Sequence, residues 1–214
     1  MARSKRLRSL QKDLRELRFH LLPKKFNPTG SYANCIFSRT IAYRVLAHAE
    51  IEAYLEDRTV EVVRAALYAW DSRGFVGITA MCLIAFIGRT MEEPPPSMQP
   101  TQPTQNKAWP SKLYVGHKLK EAGTAFHHTV EKNHGIKEEN VLRLLLPLGV
   151  DPNDIDPLWL ATMNAFGERR GDAAHSSRTK WQTHQLPDPQ TELETVEEIL
   201  RGLMIVDELL NALI

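Results

Sequence analysis

From Ser31 to about Asp71 the helical pattern is almost unbroken, with a break expected near Asp57, and nowhere does the chain carry a strand signal worth assigning. Such a chain buries its apolar surface by packing helix on helix, so an all-α bundle of about six or seven helices is expected. Ile41, Val45, Ala49, Glu52 and Ala53 fall on one side of the long segment, and Glu52 therefore interrupts an apolar stripe.

The remaining helices follow from similar cues. Leu7, Leu10, Leu14, Leu17 and Leu21 recur at alternating steps of three and four, which predicts an amphipathic helix from about Ser4 to Leu22 that stops at Pro23. Its leucines can dock on the chain's own core or form a seam with a second chain, and two heptads are too few to establish a zipper. Beyond Gly74 the apolar run from Phe75 to Gly88 is shorter than the roughly 20 residues of a membrane span, so it is expected to be a buried core helix that extends to about Met91. Helices from about Lys112 to Asn133, Lys137 to Leu146 and Thr191 to Leu213 follow, and a Pro-rich stretch at about 92–110 is expected to be a mobile loop. Residues 1–30 thus read as a basic amphipathic helix and loop, and 31–214 as the helical domain.

One further helix carries the chemistry. With Asp156 as N-cap and Pro157 at its first position, Trp159, Met163, Phe166 and Ala174 share an apolar face with Arg170 in its middle. Burying that charge costs several kcal/mol, on the order usually estimated, unless a carboxylate or phosphate compensates it. Glu52, the opposite charge on another apolar stripe, is one candidate partner. Asn164, Glu168 and His175 form a separate polar stripe with Asp172 at its edge, so Arg170 and His175 cannot close on one ideal helix face. Arginine offers a phosphate a permanent cation, and histidine exchanges a proton near neutral pH. The Arg-x4-6-His spacing also occurs at Arg15–His20 and Arg178–His184, where a basic amphipathic segment and a loop explain it.

The segment Phe166–Ser177, together with Ala47–Leu55 and Asn133-His134-Gly135-Ile136-Lys137, resembles the HEPN superfamily, in particular its RiboL-PSP-HEPN branch. The likeness is spread over residues 35–214. It implies a helical bundle, commonly a two-fold dimer, and a metal-independent endoribonuclease of the kind found in toxin and antiviral defence systems. The family motif falls on Arg170 and His175 as catalytic residues, with Asp172, Glu52, Arg169, His48 and Ser176 in support. Gly171 departs from the polar residue often found after the arginine. RNA cleavage by its own 2′-hydroxyl needs a base, an acid and a cation at the phosphate, and a dimer brings two His175 and two Arg170 to that task. Partners implied are RNA, a second copy of the chain, and an antitoxin or companion defence protein. The competing reading is a non-catalytic helical module that binds RNA or protein, with Arg170 and Glu52 as a core ion pair.

Charge is unevenly distributed. The first 25 residues carry nine basic and two acidic side chains, whereas residues 188–214 carry one and seven. Arg3, Lys5, Arg6, Arg8 and Lys12 are therefore candidates for gripping RNA phosphates, although an arm lying on its own or a partner's acidic tail reads equally well. Cys35 and Cys82 match no zinc or redox spacing, and His127, His128 and His134 lack a spaced carboxylate to complete a metal site, so neither metal nor cofactor is expected. No apolar signal core follows the basic amino terminus, which points to the cytoplasm.

Overall fold

The computed structural model describes residues 3–88, 112–175 and 186–214, without the side chains of 87–88, 112–114 and 172–175. Among the described residues there are seven α-helices and no strands: α1 (Lys5–Leu21), α2 (Asn34–Arg73), α3 (Ile78–Gly88), α4 (Lys112–Glu131), α5 (Glu138–Leu145), α6 (Pro157–His175) and α7 (Pro189–Asn211). The stretch expected to be a Pro-rich loop lies outside the described residues.

Helix starts have local causes. Ser4 caps α1, its Oγ accepting the Leu7 N–H at 3.0 Å. At α6 the Asp156 carboxylate accepts the Leu158 N–H at 2.9 Å, and at α7 Asp188 accepts the Thr191 N–H at 2.8 Å, each just before a proline at the first helical position.

The break expected near Asp57 is absent, and α2 runs for 40 residues. Neither glycine nor proline lies between Asn34 and Arg73, and the polar residues at that point are all engaged. Thr59 Oγ1 donates back to the carbonyls of Leu55 and Glu56, while Asp57 pairs with Arg6. The helix stops at Gly74, whose φ of 65° lets its N–H reach Trp70 O at 2.8 Å and the Phe75 N–H reach Ala69 O at 3.3 Å. That left-handed stop delays α3 to Ile78.

Two faces differ from those expected. On α2, Ala49 and Ala53 are exposed, and the buried line runs through Tyr43, Ala47, His48, Ile51, Tyr54, Leu55, Arg58 and Val62. Three of its members, His48, Tyr54 and Arg58, are polar or amphipathic and are buried with partners or stacked on an aromatic, which disguises the stripe. Among the described side chains of α3 only Thr79, Ala80 and Leu83 are buried, whereas Ile78, Met81 and Phe86 face outward. Its neighbours among the described residues are α2, α4 and the 3₁₀ turn at Leu146–Leu148.

A single apolar cluster joins the helices. Leu7, Leu10 and Leu14 of α1 pack with Tyr43, Ile51 and Leu55 of α2, Phe126 of α4, Met163 and Phe166 of α6, and Ile199 and Leu203 of α7. The leucine stripe of α1 is thus docked within its own chain. Helices α6 and α7 touch at Gly202, where a Cβ would lie 2.1 Å from Trp159 Cδ1. The absent side chain lets the indole lie across α7 and donate its N–H to Ile199 O at 3.0 Å.

Candidate functional site

Helix α6 lays Trp159, Met163 and Phe166 into the core, as their spacing predicts. Arg170 follows one turn later. It is half-buried, its Nε is buried without a hydrogen-bond partner, and it forms no ion pair with any described carboxylate. A fixed cation in that position raises the affinity of its surroundings for an anion.

His48 of α2 lies beneath it. The imidazole is 2% exposed and stacks on Phe166, with ring centroids 6.3 Å apart and planes inclined by 22°. Its Nδ1 is 3.5 Å from Glu52 Oε2, near enough to feel the charge but not aligned for a hydrogen bond, and that nitrogen has no partner. Burial, assisted by the charge of Arg170, pulls the His48 pKa down to about 4, so the ring is neutral at pH 7. Burial and the neighbouring Glu56 raise the Glu52 carboxyl above its usual range, against the opposing pull of the Gly135 N–H, Arg170 and His134. Glu52 and Arg170 therefore share one electrostatic environment, but no salt bridge joins them.

The turn between α4 and α5 closes over this spot. Asn133 is buried, and its Nδ2 donates to Glu56 Oε1 at 2.8 Å and to Gly135 O at 3.1 Å while its Oδ1 accepts from Asn140 at 3.0 Å. Gly135 follows with φ at 140°, and a Cβ there would lie 4.0 Å from His48 Nε2. On the far side, Gly167 packs against Lys137, whose Cγ would be 3.0 Å from an added Cβ. Three segments far apart in sequence, around His48–Glu52, Asn133–Lys137 and Phe166–Arg170, thus meet at one place.

Arg169 has a different environment. Buried Glu192 of α7 accepts from Arg44 Nε at 3.0 Å and also from Arg44 Nη2, and Arg44 Nη1 donates to the Arg169 carbonyl at 3.3 Å. Arg169 Nε stands 3.9 Å from the same carboxylate. Two arginines share one acid, so the cluster of Arg44, Arg169 and Glu192 carries a net positive charge. Nothing in the local sequence around Arg44 or Glu192 marks them, because the pair spans 148 residues.

The backbone of α6 reaches His175, but the side chains of Asp172 and His175, and all of Ser176, lie outside the described residues. Of the basic set, Arg3, Lys5, Arg8 and Lys12 are exposed, whereas Arg6 is held by Asp57 at 2.6 Å and Glu61 at 2.8 Å. Among the described residues no group of three or more His, Cys, Asp or Glu side chains is placed to hold a metal ion, and no helix is long and apolar enough to cross a membrane. No protein-family model, curated protein or solved structure matches the chain.

The neutral state of His48 has a measurable consequence. Its folded pKa lies below the ordinary value of 6.5, so the unfolded chain takes up a proton first as the pH falls. His48 therefore costs stability progressively from about pH 6.5 down to about 4, where the loss levels off. Over that window the loss is on the order of 3 kcal/mol. The raised carboxyl of Glu52 acts in the opposite sense, so the comparison needs a variant. Urea midpoints at pH 7 and pH 4.5 should fall less in His48→Gln than in the parent. An equal fall in both would show that the ring carries no such penalty.

Proposed function

We propose that the chain is a metal-independent endoribonuclease that cleaves RNA by attack of the substrate's own 2′-hydroxyl. The observation that carries this reading is Arg170, a half-buried cation that forms no ion pair with a described carboxylate, on the helix that ends at His175. A transferring phosphate is the anion that such a group suits, because charge-assisted hydrogen bonds from a guanidinium strengthen as charge builds on the crowded phosphorus. The resemblance of this helix and its two neighbouring segments to HEPN ribonucleases supports the same assignment.

In the proposed reaction a base removes the 2′-hydroxyl proton, O2′ bonds to phosphorus, the P–O5′ bond breaks, and an acid returns a proton to O5′. The products are a 2′,3′-cyclic phosphate and a 5′-hydroxyl. Two His175 side chains, one from each subunit of a two-fold dimer, supply the base and the acid, and the two Arg170 side chains hold the phosphate. The cation is part of the protein, so the chemistry needs no metal. Involvement in toxin or antiviral defence, with an antitoxin or companion protein as partner, belongs to the same proposal.

The test is incubation of purified protein with RNA in excess EDTA, with analysis of the 3′ ends formed. Cleavage to cyclic phosphate ends is expected, with a DNA strand of the same sequence left intact because it lacks the nucleophile. Ends bearing a 3′-hydroxyl, or cleavage that appears only with a divalent metal, would exclude this mechanism. Light scattering should give a dimer at micromolar concentration, and a monomer that still cleaves would remove the shared site.

A further inference from the structure

The orientation of α1 is fixed by what it buries. Leu7, Leu10 and Leu14 enter the core, the Ser4 N–H donates to Asp207 Oδ2 of α7 at 2.8 Å, and Arg6 is clamped between Asp57 and Glu61. At 100° per residue the opposite side of the helix carries Lys5, Arg8, Lys12, Arg15 and Phe19, all exposed. Among the described residues the only acid close to this line is Glu16, 3.7 Å from Lys12 and itself exposed.

Phe19 is the odd member. It sits in the cationic line with 66% of its surface in water, although an aromatic ring is among the side chains that gain most from being covered. Lys24 Nζ lies over one side of its ring, 5.8 Å from the centroid, and His20 meets it edge-on at 5.1 Å, so the exposed ring is flanked by one cation and a second ring. Lys5 and Phe19 are separated by 14 helical steps, about 21 Å, the length of a few nucleotides of extended strand.

We propose that the outward face of α1 is a track for single-stranded RNA, in which Lys5, Arg8, Lys12 and Arg15 hold the phosphates and Phe19 is a stacking platform for a base. This combination of a cationic line with an open ring is what binds single strands irrespective of sequence. A membrane surface fits less well, because Phe19 is the one large apolar group on that face and an interfacial helix needs a broad apolar side. An acidic peptide would satisfy the cations but would leave the ring without a purpose. The track also has a direction. Helix α1 runs antiparallel to α2, with Arg6 beside Asp57 and Glu61, and Arg18 close enough to Tyr43 for its charge to act on the phenol. Its Phe19 end is thus at the level of Arg44, where the end of α6 is also held. The inference concerns binding and does not depend on the chain being a nuclease.

Fluorescence anisotropy with a labelled uridine strand, 2′-O-methylated so that it cannot be cleaved, tests it on the full chain. Phe19→Ala should weaken binding about tenfold, as expected for loss of one base–aromatic stack, with the salt dependence unchanged. The double substitution Lys12→Gln and Arg15→Gln should instead lower the slope of log affinity against log salt by about 1.4, at about 0.7 for each phosphate contact. All three positions are exposed, and circular dichroism checks that the helix persists. An affinity indifferent to Phe19→Ala, or a duplex bound as tightly as the single strand, would overturn the track. So would Phe19-dependent binding to phosphatidylserine vesicles by a protein that ignores the RNA.

Discussion

Arg170→Ala and His175→Ala are each expected to reduce RNA cleavage by about 100- to 10,000-fold, the usual contribution of a positioned acid–base or charge-stabilising group, while the helical circular dichroism stays intact. The fold should tolerate the arginine change because Arg170 forms no ion pair with a described carboxylate, and its removal, though it loses a favourable pull on Glu52, relieves the opposing charge on buried His48. Arg169→Ala should behave differently. Glu192 retains both of its bonds from Arg44 when Arg169 is lost, so stability should fall modestly and cleavage should persist. Rates measured at saturating RNA separate the chemical step from binding. Loss of cleavage on Arg169→Ala with retention on Arg170→Ala would move the phosphate to the other arginine and undo the assignment.

Much of the helical layout was legible because helix ends are written in a few residues. Ser4, Asp156-Pro157 and Gly74 mark three boundaries to within a residue, and the spacing of Trp159, Met163 and Phe166 gives the buried side of α6. The long helix α2 shows where local pattern fails. Its buried line contains His48, Tyr54, Arg58 and Thr59, which look like surface residues until their partners are known, so local pattern places the small apolar Ala49 and Ala53 on the core side. For Tyr54 and Arg58 the partner, Asp207, comes from 153 and 149 residues away, in α7, and no window of sequence can reveal it. At the candidate site, Arg170 and Glu52 were legible as misplaced charges. That they share an environment without pairing directly was not, because it depends on the Asn133–Gly135 turn and on His48.

The largest loss of stability from one substitution is expected at Asp207, where the same hidden pairing holds three helices together. Its carboxylate has no exposed surface and accepts from the Ser4 N–H at 2.8 Å, the Tyr54 hydroxyl at 3.0 Å and Arg58 Nε at 3.2 Å. Burial alone would raise its pKa, but the bonds from Ser4, Tyr54 and Arg58 outweigh burial and hold the acid below its usual range. It thus contributes stability that is present above the ordinary carboxylate pKa and is lost as the pH falls through the lowered one. Asp207→Ala leaves the buried Arg58 with only the more exposed Glu61, 3.3 Å away, as its charge partner. Breaking a buried pair from one side costs about 3 to 5 kcal/mol, a large share of the roughly 5 to 15 kcal/mol that keeps a domain folded. The urea midpoint should fall accordingly, and amide exchange should rise first in α1, whose start is tied down through Ser4. Replacing both partners, as in Asp207→Leu with Arg58→Met, should cost less than Asp207→Ala alone, since no charge is then stranded. A single-variant loss below about 1 kcal/mol, the scale of an exposed pair, would mean that water already reaches this network and that α1 is held by its leucines alone.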